Sequence, residues 1–500
     1  MTLDVETLDQ VLLIGTGVLL LAILAVRLSV GVGLPSLLVY LLMGVALGES
    51  GLGLDFDNAQ LAHALGFAAL VLILAEGGLT TSWPEIRPVM RLGVSLATIG
   101  VAVSVALMAV FGHFVLGLSW QLAVLLGAVT SPTDAAAVFS VLRRMPLPRR
   151  LTGTLEAESG LNDAPTVLLV TVVSTTGAGG FLSFVGLIAY ELVAGTLVGG
   201  AVGFGAAWLM RRSALPSSGL YPLSVLAFTV FAYAGSAAIH ASGFAAVYVA
   251  ALVLGNAELP HRAATRSFAE GLAWLAQIGL FVMLGLLASP AEITWEVVGI
   301  AIVAGLLLTF VARPLSVAVA SVVQPMQARE LTFLSWAGLR GAVPIVLATI
   351  PLSEAVDGAG QLFHIVFVMV VIFTLLTGPT LPLVARALRV SARHEPRDLE
   401  VEAAPLERIA ADLLQVNISP QSLMHGVEVG ELRLPQGASV ALVVRDGKTL
   451  VPERRTVLRR GDDVLVVTPR RLREATEDRL RTVSVGGRLA QWLHTGRRPE

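Results

Sequence analysis

The amino-acid sequence predicts an all-α polytopic membrane protein of about thirteen transmembrane helices, followed by a small C-terminal cytoplasmic α+β domain. Apolar residues make up 55% of the 500 residues, and charged residues only 14%. Long uncharged runs recur between Leu8 and Leu388, each near the length of about 20 residues that a hydrocarbon core of roughly 30 Å requires. A third observation, the distribution of arginine among the loops, agrees with this number of spans.

The individual spans are bounded by charged or Pro/Gly-rich breaks. They are predicted at residues 8–26, 32–48, 61–80, 93–112, 120–142, 151–174, 181–210, 219–239, 243–256, 266–289, 296–323, 329–351 and 361–387. The chain has no cysteine, which excludes disulfides, thiolate metal sites and cysteine nucleophiles.

Arginine positions predict how the spans are oriented. Loops that contain arginine alternate with loops that contain acidic residues, such as Glu49, Glu292 and Glu354, and no Arg or Lys. The positive-inside rule then places the N-terminus outside the cell (inner) membrane and everything after Arg386 in the cytoplasm. A missed span would break the alternation along the chain.

The composition changes from apolar to charged at about residues 386–397, which predicts a transmembrane domain at 1–390 and a cytoplasmic domain at 398–483. Within the second domain, strands are expected at 438–444 and 464–467, with a charged helix at 471–480. Arg445-Asp446-Gly447-Lys448 is typical of a tight hairpin turn. No Gly-x-Gly-x-x-Gly motif opens a βαβ unit, so nucleotide binding is not supported.

Polar interruptions occur at corresponding places in the fifth and twelfth spans. They are Thr130-Ser131-Pro132-Thr133-Asp134 and Gly338-Leu339-Arg340-Gly341-Ala342-Val343-Pro344. If the first six and last six spans are inverted repeats, these two spans are repeat partners. Unwound backbone is tolerated in a membrane only where it lines a cavity, so we predict two broken helices that cross near the midplane.

The sixth span contains the run Glu158-Ser159-Gly160-Leu161-Asn162-Asp163, whose charged and polar side chains are energetically costly to place within a membrane. Glu158 and Asn162 share one helix face, and Asp163 is turned about 100° away. We expect Asp163 to face a cavity as the carboxylate that alternately binds a cation or a proton. Glu158 and Asn162 would then form a structural ion-pair group with Arg340, which lies at mid-depth of its span, whereas Arg313 is expected to extend its charge to the cytoplasmic interface.

Monovalent alkali cations prefer oxygen ligands. The candidate donors are Asp163, Asp134, Ser159, Thr133 and, near the end of the third span, Glu76. The cation itself is expected at Asp163 and Asp134. For Asp134, capping of a broken helix is an equally good explanation as ion contact.

Residues 1–390 resemble the cation:proton antiporter superfamily, specifically its sodium/proton exchanger branch with an Asn-Asp pair. The motifs that carry the resemblance are Thr133-Asp134, Glu158-Ser159-x-x-Asn162-Asp163 and Gly338-Leu339-Arg340-Gly341-Ala342-Val343. The resemblance implies a secondary active antiporter, a homodimer, an ion-translocating core of six helices and elevator-like alternating access. It also implies that Asp163 is essential, that Glu158 pairs with Arg340, and that Asp134, Thr133 and Ser159 line the site.

The C-terminal domain is similar to the TrkA C-terminal type, through Gly430-Glu431-Leu432-Arg433-Leu434-Pro435 and Gly461-Asp462-Asp463-Val464. Among exchangers this combination most resembles bacterial potassium/proton antiporters, which favours K+ over Na+. Electrogenic relatives carry Asp-Asp and an intramembrane lysine, whereas here Asn162 replaces the first Asp and the one lysine is Lys448. We therefore expect electroneutral exchange of one cation per proton.

Several alternatives stay open from the sequence. The protein is expected to be no enzyme, to need no cofactor beyond the transported K+ or Na+ and H+, and to bind no nucleic acid. The C-terminal domain either binds a small regulatory ligand or is purely structural, as in an alternative Na+(Li+)/H+ exchanger. A cation channel and an intramembrane aspartyl protease that uses Asp134 and Asp163 are the alternatives from other classes.

Overall fold

The computed structural model divides into two compact units, Met1–Ser391 and Ala392–Glu500. The structure describes residues 5–32, 36–49, 51–54, 56–142, 147–175, 181–213, 215–257, 259–341, 343–390, 401–406, 411–419, 422–445 and 447–487. Two residues of the predicted motifs, Ala342 and Asp446, lie outside these ranges.

The first unit is built from helices. The first of these are α1 (Val5–Val32), α2 (Ser36–Leu47), α3 (Ala59–Thr80), α4 (Trp83–Ile86), α5 (Met90–Ser95), α6 (Val101–Phe114), α7 (Trp120–Thr130), α8 (Ala135–Val141) and α9 (Arg149–Thr175). They are followed by α10 (Phe181–Arg212), α11 (Leu220–Ala238), α12 (Gly243–Asn256), α13 (Arg262–Leu287), α14 (Trp295–Leu307), α15 (Arg313–Ala320), α16 (Ala328–Trp336), α17 (Val343–Ser353) and α18 (Ala359–Ala387).

These helices confirm the predicted polytopic fold. Within the described residues, 7 helical segments are long and apolar enough to cross a membrane, and shorter apolar helices coincide with five further predicted spans. The remaining predicted span is α9, which contains the polar run of the sixth span. Each predicted span therefore coincides with one helix or with consecutive helical segments.

Polar residues at the ends of the apolar runs begin several helices. The side chains of Asn58, Ser119, Ser242 and Thr294 accept hydrogen bonds from backbone N–H groups in the first turns of α3, α7, α12 and α14. Such caps satisfy N–H groups that have no partner within the helix.

Two predicted spans are broken, as their polar interruptions indicate. The fifth span consists of α7 and α8, separated by residues 131–134, and the twelfth consists of α16 and α17, separated by residues 337–342. The breaks meet, because the Asp134 N–H donates to the Leu339 carbonyl oxygen at 2.9 Å. The prediction of two broken helices that cross is thus confirmed.

The fourth and eleventh spans also match each other. A π-helical turn at Leu96–Gly100 joins α5 to α6, and another at Leu308–Ala312 joins α14 to α15. Matching irregularities in two consecutive pairs of spans agree with the predicted inverted repeat.

Small residues allow some helices to pack with their backbones in contact. A Cβ atom on Gly44 of α2 would overlap with the backbone of α13 at Val282, and one on Gly285 would overlap with the backbone of α2 at Leu41. In a membrane, where burial of apolar surface drives helix association weakly, such close approach supplies van der Waals contact.

In its described residues, the second unit has a five-stranded antiparallel sheet and one α-helix. The strands are β1 (Val401–Leu406), β2 (Ala411–Asn417), β3 (Ser439–Arg445), β4 (Lys448–Leu450) and β5 (Asp463–Pro469), in the order β1-β2-β5-β3-β4, and α19 spans Arg473–Gly486. The predicted strands, hairpin and helix are confirmed, since Arg445 pairs with Lys448 across the turn. The Asp462 carboxylate is fully buried and accepts two hydrogen bonds from Arg445, at 2.8 and 2.7 Å.

Candidate ion-binding site

The polar residues of α9 are divided between two faces of the helix. Ser159 and Asp163, four residues apart, line a cavity, whereas Glu158 and Asn162 point into the protein away from it. Asp163 is 7% exposed, and one of its carboxylate oxygens, Oδ1, is buried without a hydrogen-bond partner among the described residues. The predicted separation of the two faces is therefore present.

The cavity has a volume of about 320 Å³ and lies between α2, α3, α8, α9, α12, α13 and α17. All five residues predicted to bind the ion or proton line it: Glu76, Thr133, Asp134, Ser159 and Asp163. These residues come from the third, fifth and sixth predicted spans, and the structure brings them to one surface.

The break between α7 and α8 positions the ligands that the fifth span contributes. Asp134 is the N-cap of α8, and its side chain accepts a hydrogen bond from the Ala137 N–H at 3.2 Å. The Ser159 hydroxyl accepts a hydrogen bond from the Ala135 N–H, also at 3.2 Å. The first turn of α8 is thus held against α9, and the two explanations weighed for Asp134, capping and a position in the cavity, both apply.

Glu158 is paired with Arg313, not with Arg340. The Arg313 guanidinium donates from Nη1 to Glu158 Oε1 and from Nη2 to Oε2, the second bond at 2.9 Å. Glu158 is 2% exposed and Arg313 5% exposed, so the pair is enclosed by protein. The prediction of Arg340 as the partner of Glu158 is wrong, and so is the prediction that Arg313 extends to the interface.

Depth along the span was a poor guide to the position of Arg313. The residue begins α15 directly after the π-helical turn at 308–312, about 10 Å from the end of the helix at Ala320. A π-helical turn changes the angular position of every residue that follows it, and such turns are frequent at functional sites. Depth in the span favoured Arg340 and placed Arg313 at the interface, whereas it is Arg313 that reaches Glu158.

Arg340 instead neutralises the end of a broken helix. Its Nη1 donates to the carbonyl oxygens of Ser131 and Pro132, both at 2.8 Å, just beyond the C-terminal end of α7. The last carbonyls of a helix have no partner within it and carry a partial negative charge, which a guanidinium satisfies. Arg340 at the end of α7 and Asp134 at the start of α8 therefore each satisfy one end of a broken helix.

Asn162 connects the structural face of α9 to the ligand face. Its side-chain Nδ2 donates to the Thr133 hydroxyl at 3.0 Å, and Asn162 is 1% exposed. This hydrogen bond fixes the orientation of a cavity-lining hydroxyl. Asn162 therefore contacts the broken helix rather than an arginine.

Some cavity residues are not among those predicted from the sequence, namely Glu156, Tyr248, Gln277, Thr80 and Thr81. Arg150, at the start of the same helix, contacts Glu330 and the Pro325 carbonyl oxygen and is not the partner of Glu156. The spacing of Glu156, Ser159, Gly160 and Asp163 was a usable signal, because residues at i, i+3, i+4 and i+7 share one helix face.

The charge of the cavity favours a cation. Four carboxylates line it, those of Glu76, Asp134, Glu156 and Asp163, and no arginine, lysine or histidine is among the described residues that do so. The two buried arginines do not line this cavity: Glu158 binds Arg313, and backbone carbonyl oxygens bind Arg340. The site therefore presents oxygen atoms and negative charge to whatever enters it.

Comparison with known families decides the class of protein. The family described as "Sodium/hydrogen exchanger, transmembrane" matches residues 17–387, well over half of the chain. The chain belongs to this family. Residues 413–481 match the TrkA-C domain, as the C-terminal motifs indicated. The protein is thus a multi-pass membrane antiporter that exchanges a monovalent cation for a proton, and the transported ions are its substrates, with no cofactor.

Similar proteins extend over both units of this sodium/hydrogen exchanger family member. The chain is 35% identical over 474 residues to the K(+)/H(+) antiporter NhaP of Alkalimonas amylolytica, covering 92% of this chain and 82% of that protein. It is 33% identical over 487 residues to the K(+)/H(+) antiporter NhaP2 of Shewanella oneidensis, covering 95% and 83% respectively.

A solved structure supports the fold of the membrane unit. The sodium proton antiporter MjNhaP1 of Methanocaldococcus jannaschii superposes with a TM-score of 0.65 at 22% identity, covering 76% of this chain and 99% of that one. Since the family is one of exchangers, the channel and protease alternatives are set aside.

Proposed function

We propose that Asp163 is the group that alternately binds the monovalent cation and the proton. The observation that supports this most directly is its carboxylate, which lines an acidic cavity while one oxygen atom has no hydrogen-bond partner among the described residues. A buried acceptor without a partner is costly, and a bound cation or proton removes that cost. Asp134, Thr133, Ser159 and Glu76 line the same cavity and are the proposed additional oxygen donors.

The exchange is proposed to be electroneutral, with one cation per proton. At the position beside Asp163 the chain has Asn162, whose amide is hydrogen-bonded to Thr133 and does not titrate. The one lysine of the sequence, Lys448, belongs to the second unit. Because one carboxylate binds either one cation or one proton, each transport cycle exchanges one cation for one proton and moves no net charge.

Potassium is the proposed cation. The relatives at 35% and 33% identity are named K(+)/H(+) antiporters, and their alignments extend across the TrkA-C region. Sodium is the second candidate, because a more distant relative, 27% identical over 403 residues, is the Na(+)/H(+) antiporter ApNhaP of Aphanothece halophytica.

Several further properties belong to the same proposal. The arginine-rich loops favour an N-terminus outside the cell membrane and a cytoplasmic C-terminal unit, with a domain boundary in 390–398. A homodimer and elevator-like alternating access follow from the family resemblance. A small regulatory ligand at the TrkA-C region would couple transport to the state of the cytoplasm.

The proposal is tested with everted membrane vesicles and a pH-sensitive dye, by titrating K+, Na+, Li+ and Rb+ against wild type and Asp163→Asn. We expect proton release on addition of K+ in the wild type and none in Asp163→Asn at equal protein abundance. Full exchange by Asp163→Asn would refute the assignment of the binding group. Exchange in proteoliposomes that follows an imposed membrane voltage would refute electroneutrality.

A further inference from the structure

The acidic cavity extends well beyond Asp163 along α9. Glu156 lies seven residues before Asp163, about 10 Å nearer the start of the helix at Arg149, and it lines the same cavity. Its distance from Asp163 is too large for both carboxylates to bind one alkali cation. Glu156 is half-buried, and the exposed Glu85 lies near enough to interact with it electrostatically.

Tyr248 of α12 reaches the surface of α9 between these two carboxylates. A Cβ atom on Gly160 would overlap with Cζ and the hydroxyl oxygen of Tyr248, so the end of the phenol ring lies directly on this glycine. Gly160 is four residues after Glu156 and three before Asp163. The hydroxyl therefore lies about one helical turn from each carboxylate.

No hydrogen bond of ordinary length fixes the position of the Tyr248 hydroxyl. Tyr248 is 4% exposed and lines the cavity, and its hydroxyl makes no hydrogen bond among the described residues. Thr81, the residue that follows α3, lies near enough to interact with the Tyr248 hydroxyl. Because the Thr81 hydroxyl donates to the Gly77 carbonyl oxygen at 2.6 Å, it can act toward Tyr248 only as an acceptor, which leaves the lone pairs of the phenol oxygen unused. A buried hydroxyl without a partner is unfavourable, so a ligand that uses its oxygen compensates for that cost.

We propose that Glu156 and the Tyr248 hydroxyl form a second binding subsite for the alkali cation, between the Arg149 end of α9 and Asp163. A carboxylate, a phenol oxygen and the Thr81 hydroxyl are the hard oxygen donors that an alkali cation accepts in place of water. The cation exchanges part of its hydration shell there before it reaches Asp163. Gly160 is required because any side chain would occupy the place of the Tyr248 hydroxyl.

This inference rests on the proposed role of Asp163, and it makes a separate kinetic prediction. Glu156→Gln and Tyr248→Phe each remove one ligand outside the Asp163 site. We expect each to raise the KM for K+ about five- to tenfold while leaving the maximal rate within about twofold of wild type. The double variant should resemble the stronger single variant, because both residues serve one subsite.

The chain offers matched controls for both substitutions. Tyr40 is fully buried and its hydroxyl likewise makes no hydrogen bond of ordinary length among the described residues, but it does not line the cavity. Glu191 of α10 is a carboxylate in a predicted span that likewise does not line the cavity. Tyr40→Phe and Glu191→Gln should both keep the wild-type KM.

A binding measurement separates this inference from the assignment of Asp163. The melting temperature of purified protein is followed while KCl replaces choline chloride at constant ionic strength, since a ligand that binds only the folded state raises it. Asp163→Asn should retain a K+-dependent rise, and Asp163→Asn combined with Glu156→Gln or Tyr248→Phe should lose it. A wild-type KM in Glu156→Gln and Tyr248→Phe, or no K+-dependent rise in Asp163→Asn, would overturn the second subsite. Active exchange by Asp163→Asn would instead refute the proposed function.

Discussion

Replacing Arg313 with methionine leaves the Glu158 carboxylate buried without its bidentate partner. Two hydrogen bonds between charged groups, at about 1.5–3 kcal/mol each, give an expected loss of about 3–6 kcal/mol in the free energy of unfolding. Broken buried ion pairs cost a similar amount, about 3–5 kcal/mol. At roughly 2 °C per kcal/mol for a large domain, the apparent melting temperature should fall by about 6–12 °C.

The assay is the fraction of detergent-solubilised protein that stays monodisperse after heating, followed by fluorescence-detected size-exclusion chromatography. A double-mutant cycle with Glu158→Gln measures the pairing itself. The double variant Glu158→Gln/Arg313→Met should recover most of the lost stability, because no unpaired charge stays buried. The matched cycle uses Arg340→Met, whose guanidinium binds the carbonyl oxygens of Ser131 and Pro132.

The two cycles distinguish the two possible partners of Glu158. We expect a coupling energy above about 1.5 kcal/mol with Arg313 and a clearly smaller one with Arg340. The opposite order would mean that the geometry described for this pair is incorrect. Equal stability of Arg313→Met and wild type would refute the argument that Glu158 depends on it.

Three further perturbations test other contacts. Gly341→Ala places a Cβ atom in the Asp134 carboxylate, so exchange in vesicles should be lost at a cost of about 1–3 kcal/mol in stability; unchanged exchange would show that the broken helices do not meet closely there. Asn162→Ala removes the hydrogen bond that orients a cavity hydroxyl, so the KM for K+ should rise roughly fivefold, and an unchanged KM would count against that orienting role. Asp462→Ala leaves Arg445 without its buried carboxylate partner. Amide hydrogen exchange should therefore accelerate across residues 411–487, with no change in the membrane helices. Unaltered protection of residues 411–487 would contradict the importance of this pair.

Much of the architecture follows from local properties of the sequence. Apolar runs of the length of a bilayer specify helices, and the polar interruptions at 130–134 and 338–344 predict the breaks that the structure has at 131–134 and 337–342. Helical spacing also predicted that Asp163 lies on a different helix face from Glu158 and Asn162. The angle between two side chains on one helix depends only on their spacing in the sequence, so this prediction requires no knowledge of the tertiary structure. The strands and helix of the second unit followed in the same way from alternation and turn residues.

The sequence does not determine which arginine pairs with Glu158. Arg313 and Arg340 are both buried basic residues on late spans, and nothing local distinguishes which of them reaches Glu158. The decision depends on a π-helical turn that rotates Arg313 and on the crossing of the broken helices, which brings Arg340 to the end of α7. Tyr248 was missed for a related reason, since its position in the cavity depends on Gly160 of another helix.

By itself, the sequence determined a polytopic helical exchanger with two broken spans, an acidic site that includes Asp163, and a separate C-terminal unit. These features depend on hydrophobicity, helix periodicity and motifs, which are local. Only the tertiary structure decided that Arg313 pairs with Glu158, that Arg340 caps α7, and that the acidic cavity continues to Glu156. Those outcomes depend on the rotation and crossing of helices from distant parts of the chain, and a buried charge is satisfied by the group that packing brings within reach.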